Sequence, residues 1–143
     1  MSFAFVFPGQ GSQSVGMMAA YGDAAVVRAT FDEASSVLGD DLWAMVADGP
    51  AEVLTQTVNT QPVMLTAGVA VWRLWQEMGG RNPSILAGHS LGEYSALVAA
   101  GVIDFKDAVP LVRLLHGCHT WSGYTKPHRR LCRLRTGRNC RAG

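Results

Sequence analysis

The chain has 143 residues, 48% of them hydrophobic, and a net charge of +1 at neutral pH. That length suits one domain with its own core. The longest apolar stretch, Pro62 to Trp72, is interrupted by Thr66 and ends at Arg73, which excludes a membrane-spanning helix; Phe3 to Phe7 has neither the basic nor the helical segment of a signal peptide, so the cytoplasm is the expected compartment.

Phe3-Ala4-Phe5-Val6-Phe7 is rich in β-formers and bounded by Pro8-Gly9, which predicts a buried strand. Pro8-Gly9-Gln10-Gly11-Ser12-Gln13 follows it directly. At the carboxyl end of a strand, where open α/β sheets place ligands, two glycines bring backbone N–H groups close to a guest. A plain turn is the alternative reading. The loop lacks both the spacing of a dinucleotide fingerprint and the lysine of a phosphate loop. Met17 and Met18 are expected in the core or lining a pocket.

Apolar spacing predicts an amphipathic helix from Asp23 to Leu38, with Val26, Val27, Phe31, Ala34 and Leu38 near one face and Gly39 ending it. A short helix is expected over Leu42 to Ala47, closed by Asp48-Gly49-Pro50, and another opens within Pro50 to Leu54. The long helix is predicted from Thr60 to Met78, capped by Gly79-Gly80. Met64, Ala67, Val71, Leu74, Trp75 and Met78 form its expected buried stripe.

Pro83 to His89 reads as the second strand and Leu91 to Ala100 as a helix. Between them lies Gly88-His89-Ser90-Leu91-Gly92, a G-x-S-x-G element in the strand–turn–helix setting that a nucleophile elbow requires. The strained turn would expose the Ser90 hydroxyl above the sheet. Gly88 and Gly92 would let strand and helix backbones approach closely, and the helix N-terminus would favour developing negative charge. An ordinary glycine-rich turn is the alternative. His89 is a poor candidate for a base, because the residue next to an elbow serine faces another way; packing or hydrogen bonding beneath the turn is expected for it. Glu93 suits the first turn of the helix, where a carboxylate meets the helix dipole. Asp104 is expected to N-cap a last helix running to about Leu115, bent at Pro110.

Strands alternating with helices indicate an α/β fold, with an incomplete parallel sheet and flanking helices, since only two strands are visible. A helical bundle or a Rossmann-like binding protein is the structural alternative. Composition divides the chain in two. Residues 1–112 hold all 11 acids and only four bases (Arg28, Arg73, Arg81 and Lys106); residues 113–143 hold eight bases, no acid, all three Cys and three of the four His. The expected organisation is a partial catalytic domain over 1–112 and a basic Cys/His-rich tail over 113–143 that is not a folded domain. A shifted reading frame would produce such a break. Two further readings of the tail are an Arg-rich nucleic-acid-binding segment, with Trp121 and Tyr124 stacking on bases, and a metal site from Cys118, His119, His128, Cys132 and Cys140. The latter has no C-x-x-C pair, and no metal is expected.

Phe5 to Gln13, Thr60-Gln61-Pro62 and Gly88 to Leu97 together resemble malonyl-CoA:acyl carrier protein transacylases of bacterial type II fatty-acid synthesis. They resemble, less closely, the acyltransferase domains of polyketide and fatty-acid synthases. The resemblance runs from about Phe3 to Val112, in order and spacing. It implies an acyl transferase, α/β-hydrolase-like large subdomain, truncated here, and ping-pong acyl transfer. Ser90 would attack the thioester of malonyl-CoA, and acyl carrier protein would then take the malonyl group. It implies an oxyanion hole from the backbone N–H groups of Gln10 and Leu91, a pocket-side role or a capping role for Gln61, and turn roles for Gly9, Gly11, Gly88 and Gly92. No cofactor, nucleic acid or membrane is implied. The family's general-base histidine lies beyond residue 143, and its carboxylate-pairing arginine falls at Leu115, which cannot pair with a carboxylate. Arg113 lies on the wrong face of the helix. Little or no turnover is therefore expected. The competing functions are a non-catalytic fragment and a nucleic-acid module built on the basic tail.

Overall fold

The computed structural model describes residues 2–115 together with residues 134 and 135. The tail residues proposed for base stacking or metal binding (Cys118, His119, Trp121, Tyr124, His128, Cys132 and Cys140) lie outside the described residues. In chain order the elements are β1 (Ala4–Phe7), α1 (Ala25–Leu38), α2 (Leu42–Ala47), α3 (Ala51–Leu54), α4 (Thr57–Glu77), β2 (Ile85–Gly88), α5 (Gly92–Ala99), α6 (Phe105–Leu115) and β3 (Leu134–Arg135). A single 3₁₀ turn, Ala19–Tyr21, precedes α1.

β1 and β2 pair in parallel, with Ala4 opposite Ile85 and Phe7 opposite Gly88. β3 pairs antiparallel to β2, with Leu134 opposite Leu86. The sheet therefore runs in the order β1, β2, β3. Both parallel strands end together, so the loops that leave Phe7 and Gly88 emerge side by side. The parallel pair and its flanking helices are the α/β arrangement expected from the sequence; the antiparallel third strand, β3, was not expected. β1, however, is not buried on both faces. Phe5 and Phe7 point towards the helices, where Phe5 meets Trp72 edge-on at 5.2 Å, while Val6 on the opposite face is 65% exposed.

α4 is the hub, packed against α1, α3, α5 and α6. It begins at Thr57, three residues before the predicted start. With this start Pro62 lies inside the helix, beyond the first turn where a missing N–H does no harm. The earlier start is secured from α3. The Thr60 hydroxyl donates to the carbonyls of Leu54 and Gln56, and Asn59 Nδ2 donates to the Val53 carbonyl at 3.0 Å. The predicted single buried stripe is also corrected. With neighbours on all sides, Thr60 to Ala67, Val69 and Ala70 are buried around the whole helix, whereas Trp75 and Met78 near its end are exposed.

α1 and α2 match their predicted spans closely. Gly39 closes α1 in the left-handed region at φ 74°, and the Asp41 carboxylate caps α2 by accepting from the Ala44 N–H at 2.8 Å. Arg73 links three helices. Its guanidinium donates to Glu33 at 2.6 Å and Thr30 at 3.2 Å on α1, and lies 4.8 Å from the Phe105 ring centre at the start of α6. α6 continues through Pro110 to Leu115, past the composition break at residue 113. Met18 is buried in the main core and Met17 packs against it.

Candidate functional site

The site lies at the carboxyl ends of β1 and β2. Here Ser90 is the one non-glycine residue among the described residues with positive φ, at 54°. It stands between Gly88, the last residue of β2, and Gly92, the first of α5. A side chain rarely adopts this backbone region, and the penalty is about 1–2 kcal/mol. Backbone hydrogen bonds hold the turn in place: the Gly92, Glu93 and Tyr94 N–H groups donate to the carbonyls of His89, Ser90 and Leu91, each at 3.0 Å. Ser90 is exposed, and Leu91 behind it is buried.

Three glycines make the arrangement sterically possible. A Cβ on Gly88 would lie 2.0 Å from the Gly92 carbonyl carbon and oxygen. One on Gly92 would lie 2.3 Å from the Phe7 carbonyl oxygen, and one on Gly9 would lie 2.6 Å from the His89 carbonyl oxygen. The atoms in the way are backbone, so no rotamer change makes room. These contacts also show how the two predicted motifs meet: the Pro8–Gln13 loop lies directly against the Ser90 turn. Gly11 has a different role. It has open space where a Cβ would go, but its φ of 106° favours glycine.

The loop is braced twice. The Gly11 N–H donates to Gln13 Oε1 at 2.7 Å, and Gln10 Nε2 donates to Thr57 Oγ1 at 3.2 Å. Among the described residues, the backbone N–H groups of Gln10 and Leu91 have no acceptor. Gln61 is buried, 8% exposed, one helical turn beyond Thr57 on α4. Because α4 starts earlier than predicted, Gln61 cannot cap it. Thr57 was missed in the sequence for the same reason: it fell outside the predicted helix.

Among the described residues, the His89 side chain neither packs nor hydrogen-bonds beneath the turn as predicted. It is exposed beside Gly9, and the His89 backbone N–H donates to the Phe7 carbonyl at 3.3 Å. Glu93 lies in the first turn of α5, as expected. Next to it, burial first and the Glu93 charge second hold the Tyr94 hydroxyl above its ordinary pKa. Arg113 pairs with Asp40 in the α1–α2 connection. No group of three His, Cys, Asp or Glu among the described residues could hold a metal ion. Nor is any helix among them long and apolar enough to cross a membrane.

Residues 4–124 match the acyl transferase domain family. The chain belongs to this family. The match extends beyond Val112, where the resemblance in the sequence stops. This acyl transferase chain is 63% identical over 113 residues to the malonyl CoA-acyl carrier protein transacylase of Salmonella typhimurium, covering 78% of this chain and 37% of the relative. Among solved structures, it is similar to the acyl-carrier-protein S-malonyltransferase of Burkholderia pseudomallei. There the TM-score is 0.78 and the identity 68%, over 79% of this chain and 37% of the other. It is also similar to a malonyl-transacylase solved in complex with a type II PKS acyl-carrier protein: TM-score 0.78, identity 63%, over 80% of this chain and 37% of that one. The chain thus spans little more than a third of the length of these relatives.

Proposed function

We propose that residues 1–112 supply the nucleophile and oxyanion parts of a malonyl-CoA:acyl carrier protein S-malonyltransferase. The observation that carries this reading is Ser90 itself, held at positive φ between a parallel strand and a helix N-terminus and lying against the Gly9–Gln10–Gly11 loop. This is the strand–turn–helix arrangement of a nucleophile elbow. Ser90 Oγ attacks the thioester carbonyl of malonyl-CoA, the C–S bond breaks, and the thiol of CoA leaves with a proton. The pantetheine thiol of acyl carrier protein then attacks the seryl ester and releases Ser90. The unpaired N–H groups of Gln10 and Leu91 are suited to stabilising the oxyanion in both steps. One such donor lowers the barrier by about 3 kcal/mol. The chemistry calls for no cofactor, and the cytoplasm, where type II fatty-acid synthesis takes place, is the compartment proposed.

Two groups that this reaction uses are absent from the described residues. His89, the one histidine among them, adjoins Ser90 in sequence but lies beside Gly9. Leu115 stands where the resemblance places a carboxylate-pairing arginine. These observations favour acylation at Ser90 with little turnover, and weak selection of malonyl over other acyl groups. Residues 2–115 by themselves would then act as a slow or non-catalytic part of the transferase. The test is incubation with malonyl-CoA followed by peptide mass analysis. A malonyl adduct on the Ser90 peptide, absent in Ser90→Ala, is expected. No adduct after prolonged incubation would rule the reading out.

A further inference from the structure

Resting on the reading of Ser90 as nucleophile, we infer that Thr57 is a positioning residue for the oxyanion hole: it anchors the Gln10 side chain and so fixes the direction of the Gln10 backbone N–H. Gln10 lies between two glycines, whose peptide planes rotate more freely than those of any other residue. An N–H donor there is useful only if its direction is set before the reaction. Three contacts set it. Gly9, before Gln10, lies against the His89 backbone so closely that a Cβ would overlap it. The peptide after Gln10 is held by the 2.7 Å bond from the Gly11 N–H to Gln13 Oε1. The Cα between them is tethered through its own side chain by the 3.2 Å bond from Gln10 Nε2 to Thr57 Oγ1.

Of the three, the Thr57 tether alone ties the loop to the α-helical layer, across 47 residues of sequence. Thr57 lies in the first turn of α4, the helix against which four others pack, and is half-buried, although the bond itself is exposed. Residues four apart on a helix share a face, so Thr57 and the buried Gln61 present amide and hydroxyl groups to the same side. The Thr57 hydroxyl can accept from Gln10 while keeping its own proton for another acceptor. A helix anchor of this kind holds a loop more tightly than another loop could.

The test uses p-nitrophenyl acetate, an activated ester whose nitrophenolate leaves without a general acid; the Ser90 hydroxyl proton passes to water, so that slow acylation can be followed by colour. Nitrophenolate release by the full chain is measured over a range of ester concentrations, with Ser90→Ala as background. Thr57→Val keeps the branched shape and removes the hydroxyl. It should lower the limiting acylation rate about 3- to 10-fold, the effect of one net hydrogen bond, with the half-saturating concentration unchanged. Thr57→Ser should restore the rate. Gln10→Met, an exposed substitution that leaves α4 intact, should show the same loss, and the double variant should lose no more than either single variant. An unchanged rate in Thr57→Val, or losses that add in the double variant, would overturn the inference while leaving Ser90 as nucleophile. No Ser90-dependent release in the unaltered chain would overturn both.

Discussion

Replacing Gly88 with alanine tests the steric basis of the site. The added methyl would lie 2.0 Å from the carbonyl carbon and oxygen of Gly92 and 2.4 Å from the Glu93 N. Ordinary contact begins near 3.4 Å, so the start of α5 would have to retreat from β2 by about 1.4 Å. It cannot do so alone, because Gly92 itself abuts the carbonyls of Phe7, at the end of β1, and of Pro8 just after it. Overpacking that side chains can absorb is destabilising by 1–3 kcal/mol; with backbone on both sides, about 3 kcal/mol is expected. With a urea slope near 2 kcal/mol per molar, the midpoint should fall by about 1.5 M. Gly101→Ala separates this from simple loss of glycine flexibility. Gly101 has φ 71° but open space around it, so only the left-handed penalty of about 1 kcal/mol applies. The assay is urea unfolding followed by circular dichroism. If Gly88→Ala unfolds at the same midpoint as Gly101→Ala or above it, the close approach of β2 and α5 is refuted.

Ser90→Gly should abolish acylation yet raise stability by about 1 kcal/mol, since glycine adopts φ 54° without strain; a lower unfolding midpoint would contradict the strained turn. Arg73→Met should destabilise by about 1 kcal/mol, through its bonds to Glu33 and Thr30. The pair is partly exposed, so most of that difference should persist in high salt only if packing on Phe105 carries it, which a comparison of midpoints at low and high salt will show. The raised Tyr94 pKa gives an alkaline signature. Folded Tyr94 keeps its proton at pH values where the unfolded chain has lost it, so stability is intact below about pH 10 and falls as pH rises through the folded value. Tyr94→Phe should remove that component of the alkaline decline in unfolding experiments; an unchanged decline would place its origin elsewhere.

The sequence made the elements and the turn legible for physical reasons. The short helices carry their own punctuation, with Gly39 ending α1 and Asp41 opening α2, and Gly88 and Gly92 announced the close approach of strand and helix. What it did not disclose depended on neighbours. Thr60-Gln61-Pro62 looks like a helix start, and only the bonds from Asn59 and Thr60 back to α3 place the start at Thr57. The stripe on α4 assumed a helix with one buried face, whereas four helices surround its first half. β1 looked buried because it is a run of apolar β-formers, but composition cannot say whether both faces have a covering layer. The contact between the two motifs was implied by the resemblance, which puts Gln10 and Leu91 in one oxyanion hole; the residue pattern alone does not disclose it, because the contact is made largely by backbone atoms at Gly9 and His89.

β1 pairs with β2 on one side. Its other flank, among the described residues, presents unpaired carbonyls and amides next to the bare Val6 face. A parallel sheet normally has both faces covered, and an open row of this kind is a template on which further strands can assemble. A strand added there would extend the sheet, and a single charge in place of the Val6 methyls would act as a gatekeeper beside that edge.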